Sequence, residues 1–118
     1  MKIRFWGVRG SIATPGRHTM QYGGNTSCVS VELSDGRVVI FDAGTGIREC
    51  GNDLLGRGGS VDVSLFISHT HWDHIQGFPF FVPSYIPGNH IRICGPSSDV
   101  EPLGIQGIME MQTKYEFF

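Results

Sequence analysis

The sequence lacks the means to cross a membrane or to staple itself together covalently. No apolar run in its 118 residues approaches the roughly 18 residues that a spanning helix needs. The opening Met1-Lys2-Ile3-Arg4-Phe5-Trp6-Gly7 has no long apolar core of a secretory signal. Only three cysteines occur: Cys28, Cys50 and Cys94, odd in number, far apart and without a C-x-x-C pair. That pattern predicts buried free thiols in a reducing compartment. Charge is scarce, 17% of residues, and nearly balanced at 9 basic against 11 acidic, which argues against a general nucleic-acid surface. Repeats, low-complexity tracts and linkers are absent as well. The expectation is a cytoplasmic protein with no membrane partner, folded as a single domain over residues 1–118.

Glycine, in contrast, is plentiful at 17 residues, which predicts many tight turns and close backbone approaches. Residues 2–8 read as a strand. A long loop from Arg9 to Ser27 follows, and a loop of that length in a small domain is usually functional. Asn25, Thr26 and Ser27 at its end, and His18 within it, are candidate substrate contacts. Cys28–Leu33 and Val38–Phe41 read as strands joined by a hairpin at Ser34-Asp35-Gly36-Arg37. Asp42 closes the second strand ahead of Ala43-Gly44-Thr45-Gly46, a place where layered α/β proteins often build a site. Residues 47–55 have helical spacing, Val61–Ile67 is a strand, and 75–85 mixes irregular helix with loop. His90–Cys94 is a further strand, with His90 structural. Ser97–Gln112 reads as a helix capped by Ser98, with Val100, Leu103, Ile108 and Met111 on its apolar face. The fold class is therefore layered α/β.

The chemistry concentrates in His69-Thr70-His71-Trp72-Asp73-His74, which holds three of the five histidines. Imidazole and carboxylate together suit zinc, manganese or iron. In a loop at the end of Val61–Ile67, His69 and His71 project the same way. Asp73 is placed to cap a short helix whose first turn carries His74. That offers one pair of ligands to one ion and a second pair to a neighbouring ion.

Gly23-Gly24-Asn25-Thr26-Ser27-Cys28, Phe41-Asp42-Ala43-Gly44-Thr45-Gly46 and the histidine cluster, in that order, resemble the metallo-β-lactamase fold superfamily. The first of these resembles its phosphodiesterase branch, which includes tRNase Z-like and cyclic-nucleotide phosphodiesterase-like enzymes. The resemblance implies an αββα sandwich with two divalent ions, usually zinc, at one edge. His69 and His71 match ligands of the first ion, and Asp73 and His74 those of the second. Asp42 matches an aspartate that braces the metal loop through hydrogen bonds. The implied reaction is hydrolysis of a small phosphodiester or nucleotide-like substrate by a metal-bound hydroxide, with Asp73 catalytic in orienting the water.

The resemblance reaches only the N-terminal half of the family domain. A later histidine, a bridging aspartate and a final histidine have no counterpart, and His18 and His90 do not stand where those ligands belong. The chain is thus expected to be a fragment of a longer enzyme, or a half-fold completed by a complementary C-terminal half or by a homodimer. The alternative is a metal-binding remnant or interaction module without turnover. A structural α/β domain with a fortuitous loop is the third reading.

Overall fold

Alternating burial organises the strands. The computed structural model describes residues 1–118, and five strands form one sheet in the order β1-β2-β3-β4-β5. β1 (Lys2–Gly7), β2 (Cys28–Glu32) and β3 (Val38–Phe41) run antiparallel in sequence, whereas β4 (Asp62–Phe66) and β5 (His90–Cys94) join parallel to β3. The β2–β3 connection is the hairpin its Asp-Gly predicts: Gly36 takes φ 87 and Leu33 donates its N–H to the Arg37 carbonyl. The parallel step from β3 to β4 is bridged by helix α1 (Ile47–Gly56), since parallel neighbours require a crossover.

One face of the sheet is covered. Val38, Ile40, Val63, Leu65 and Ile67 form the core with Ile47, Cys50 and Leu54 of α1 and with Phe81. Residues 47, 50, 51 and 54 are the buried ones of α1, the i, i+3, i+4, i+7 stripe of an amphipathic helix. Gly51 lies under Phe81 and Pro83: a Cβ there would stand 2.9 Å from Phe81 Cδ2. The segment 75–85 resolves into 3-10 turns at Phe78–Phe80 and Val82–Tyr85. Phe81 between them is fully buried, while Phe80 and Tyr85 are exposed and pack around Phe118. No helix is long and apolar enough to cross a membrane.

Two expectations need correction. The helix placed over Ser97–Gln112 begins only at Gly104, as α3 (Gly104–Gln112). Pro102 disfavours helical backbone at Glu101, and Gly104 adopts φ 62, which interrupts any continuous helix; Ser98 caps nothing. The inward face is therefore set by Ile105, Ile108, Met109 and Gln112, while Val100 and Leu103 are exposed. The cysteines also divide: Cys28 and Cys50 are buried, but Cys94 is exposed. It stands on the uncovered face because β5 alternates, with Ile91 and Ile93 turned to the core. The Cys50 thiol beside Cys28, together with burial, pushes the Cys28 thiol far above its ordinary range, so it stays protonated.

Close backbone packing generates a prediction. A Cβ on Gly77 would collide with the Gly44 carbonyl, and backbone cannot yield as a side chain does. Gly77→Ala should therefore lower stability by about 2–3 kcal/mol in urea unfolding. Gly56 ends α1 with open space around it. Gly56→Ala should instead be neutral or stabilise by up to about 1 kcal/mol in the same measurement.

Candidate metal centre

The loops that follow the C-terminal ends of β3 and β4 meet at one edge of the sheet, and Asp42 ties them together. Its backbone sits at φ 64, a left-handed conformation that aspartate tolerates better than most side chains. The N–H of Asp42 donates to the Phe66 carbonyl, and the next residue, Ala43, donates to the carbonyl of His74. Asp42 is buried, its side chain 10% exposed, and its carboxylate accepts from the Ser68 N–H at 2.8 Å, from the Ser68 hydroxyl at 2.9 Å and from His74 Nδ1 at 2.9 Å.

These bonds fix proton positions. A carboxylate only accepts, so the proton shared with His74 lies on Nδ1, and in the neutral ring it is Nε2 that carries the lone pair. The Ser68 hydroxyl, having given its proton to Asp42, accepts from His69 Nδ1 at 3.0 Å. In the neutral ring the lone pair of His69 then lies on Nε2 as well. One buried carboxylate thereby sets the tautomer of two imidazoles, one directly and one through Ser68.

The cluster converges. The rings of His69 and His74 lie 4.1 Å apart and those of His69 and His71 4.7 Å apart. Asp73 is not a helix cap. His71 occupies that position, and Asp73 lies inside the single turn α2 (Trp72–Ile75), because the chain enters helical backbone at Trp72. The Asp73 carboxylate instead accepts the N–H of Ser11 at 2.9 Å, pinning the long 9–27 loop to the site. That amide bond chiefly holds the Asp73 carboxyl below its ordinary value, with His74 and His71 adding to the effect.

No three histidine, cysteine, aspartate or glutamate side chains close into a ready-made cage for an ion. The donors stand as adjoining pairs. Asp73 Oδ2 and His74 Nε2 are 3.5 Å apart, and two ligands bound at about 2.1 Å to a tetrahedral zinc stand roughly 3.4 Å apart. Spacing and donor chemistry thus fit a divalent ion held between these two residues, with His69 and His71 beside them.

The other candidates lie elsewhere or act differently. Thr26 is fully buried. It exchanges two bonds with Thr45: the Thr26 N–H donates to the Thr45 hydroxyl and the Thr45 N–H to the Thr26 hydroxyl, both at 2.8 Å. Asn25 Oδ1 accepts from the Thr45 hydroxyl, and the Ser27 carbonyl accepts from the Gly44 N–H. These three residues brace the Asp42–Gly46 turn from below. His18 is exposed on a 3-10 turn (Arg17–Thr19), lining a hollow of about 340 Å³ with Arg9 and Tyr22. His90 starts β5 at the end of the sheet opposite the cluster and is exposed. Sequence reasoning missed Ser68 and the Ser11 amide. Ser68 had a signal, a small hydroxyl directly between a strand end and His69; the Ser11 contact spans 62 positions and had none.

Two predictions follow from this network. Asp42→Ala strands three donors and keeps a left-handed backbone that alanine resists, so it should cost about 3 kcal/mol in urea unfolding, and Asp42→Asn about half that. The Asp73 carboxyl, lowered in the folded chain, contributes its tether in full above the ordinary value of 3.8 and loses it as pH falls through the lower folded value. In metal-free protein, protection of the Ser11 amide in hydrogen exchange should persist at pH 3.8 and vanish only at lower pH.

Among curated proteins, the chain is similar to a ribonuclease Z from Haloarcula marismortui, with 34% identity over 81 residues. The alignment takes in 67% of this chain but 22% of that protein, so the chain spans about a fifth of the relative's length. No family model matches the chain, and no solved structure matches it. The relative belongs to the metallo-β-lactamase superfamily, and for this chain the similarity supports that superfamily and nothing finer.

Proposed function

We infer that the chain is the metal-binding, N-terminal part of a metallo-β-lactamase-type hydrolase acting on phosphodiesters, with zinc the expected ion and manganese or iron chemically suited. The observation that carries this reading is the Asp42 network, which engages the Nδ1 atoms of His69 and His74 and leaves their Nε2 atoms free, that of His74 3.5 Å from Asp73 Oδ2. The similarity to a ribonuclease Z supports the choice of hydrolysis and of a nucleotide-like substrate.

Asp73 and His74 would hold one ion, and His69 and His71 the other. Divalent ions at such a site lower the pKa of a water and offset charge developing on a phosphoryl group. The protein's own contribution is orientation. Asp42 keeps His74 from rotating and keeps its Nδ1 protonated; Ser68 does the same for His69. Asp73, held ionised by the Ser11 amide, is an acceptor for the O–H of a water beside it. The Gly44–Thr45 turn, bonded to Asn25, Thr26 and Ser27, keeps Asp42 in place.

A second reading, a binding module without turnover, is favoured by the donors standing as adjoining pairs and not as a closed set of three. Elemental analysis of protein purified without added metal, combined with hydrolysis of bis-p-nitrophenyl phosphate, separates the two. A hydrolase shows bound metal and turnover well above a His71→Ala control. Bound metal with turnover equal to that control leaves only the module, and no metal at all removes both. Asp73→Ala should deplete one ion of the pair more than the other; equal loss of both would show that the ligands are paired differently.

A further inference from the structure

We propose that the hollow in the 9–27 loop is a nucleotide subsite, in which Arg9 and His18 take a phosphate and Tyr22 stacks on the base. On the hydrolase reading, on which its role rests, the nucleotide held there is the one joined to the diester at the metal centre. The hollow is lined by residues between Val8 and Gly23 alone, so one loop supplies every contact it offers.

The near balance of charge over the whole chain conceals a segregation. The first 31 residues contain Lys2, Arg4, Arg9 and Arg17 and neither aspartate nor glutamate. Arg4, Arg37, Arg48, Arg57 and Arg92 each meet a carboxylate. Arg9 and Arg17 do not, and both belong to this loop. An exposed guanidinium without a carboxylate partner keeps its planar fork of donors for phosphate oxygens. His18 lines the same hollow, and its ring adds an N–H donor.

The hollow is preformed. Arg9 donates its N–H to the Asn25 carbonyl at 3.0 Å and pairs with Thr26 in a parallel bridge. Thr14 donates its N–H to the Gly24 carbonyl at 2.8 Å, and the Thr19 hydroxyl donates to the Thr14 carbonyl at 2.6 Å. These bonds tie the loop across its neck and its middle, which reduces the ordering that a ligand must impose. Tyr22 is 77% exposed, and its phenol oxygen accepts from the Gln21 amide at 3.3 Å. An exposed aromatic ring beside a cation suits a nucleobase, since every base has a π face to stack. The volume of about 340 Å³ falls in the range of small-molecule sites.

Placement joins the hollow to the metal loop. Ser11, two residues beyond Arg9, donates its N–H to Asp73. Two residues of chain span at most about 7 Å, so the wall that carries Arg9 adjoins the histidine cluster. A phosphodiester in a nucleic-acid strand bears a nucleotide on either side, and the hollow is where one of them lies. The substrate class is thereby a dinucleotide or a single strand. A cyclic mononucleotide has no second phosphate to place against Arg9.

Titration of the full chain in excess chelator, followed by amide NMR shifts, tests the subsite apart from the metal centre. The probes are thymidine 5′-monophosphate, inorganic phosphate and thymidine. The monophosphate should bind saturably at millimolar concentration or below, with its shifts concentrated at residues 8–23. Thymidine should bind at least about tenfold more weakly for want of the phosphate, and inorganic phosphate about fivefold more weakly for want of the base. Arg9→Gln should weaken the monophosphate at least about tenfold. Tyr22→Ala should weaken it about fivefold and leave inorganic phosphate unchanged, and this variant still decides should Arg9→Gln not fold. Absence of saturable binding, binding indifferent to either substitution, or shifts centred on residues 69–74 overturns the proposal. Inorganic phosphate binding as tightly as the monophosphate overturns it by leaving a bare anion site. Because the chelator removes metal ions, failure here leaves the metal-centre reading standing, and protein without metal in elemental analysis leaves a positive result standing.

Discussion

The buried Asp42 carboxylate is the constraint on which the rest of the site depends. It lies at a strand end in a left-handed backbone, a conformation that opposes folding by about 1–2 kcal/mol for most L-residues and less for aspartate. The conformation persists because the surroundings over-determine it. The backbone of Asp42 and Ala43 bonds to Phe66 and His74, and the carboxylate holds Ser68 and His74. Strain of this kind concentrates where geometry serves a site. Here it turns a carboxylate back beneath the histidine loop, where an ordinary strand exit would point it away.

Glycine lets the supporting loops close around that carboxylate. A Cβ on Gly44 would stand 2.5 Å from the Asp73 carbonyl and from Thr26 Oγ1, one on Gly46 would lie 2.6 Å from the Trp6 carbonyl carbon, and those on Gly7 and Gly77 would strike backbone outright. Loops from β1, β2, β3 and β4 are thus stacked closely, in several places backbone on backbone. Such packing has little room for rearrangement, which is what a preorganised ligand loop requires. It also explains why polar residues of the 25–27 segment face inward. With the backbones in contact, the Asn25 and Thr26 side chains are the groups within reach of the Thr45 hydroxyl and amide.

Much of the architecture was legible where local chemistry and tertiary packing agree. Short apolar runs marked β3 and β4, Asp35-Gly36 marked the hairpin, and the 47–54 stripe marked α1. The reading failed where a single backbone feature overrode the pattern. Apolar residues at 100, 103, 108 and 111 suggest a helical face, yet Pro102 and the positive φ of Gly104 start the helix later and rotate its face toward Met109 and Gln112. Asp73 looked like a cap because aspartate commonly is one; the helix starts two residues earlier than that, with His71 as its cap, which puts Asp73 inside α2 and gives its carboxylate to Ser11.

Composition and spacing by themselves determined which chemistry is available: three imidazoles and a carboxylate within six residues at a strand end, an aspartate at the neighbouring strand end, and glycines on either side. Those are properties of covalent order and of the period-two strand, which need no partner segment. Tertiary structure alone decided which ring nitrogen of His69 and of His74 carries the proton, which loop Asp73 anchors and which sheet face is left bare. Each of these depends on a contact between segments 26 to 62 positions apart or on strand order, and no local propensity encodes where a distant hydrogen-bond partner will stand.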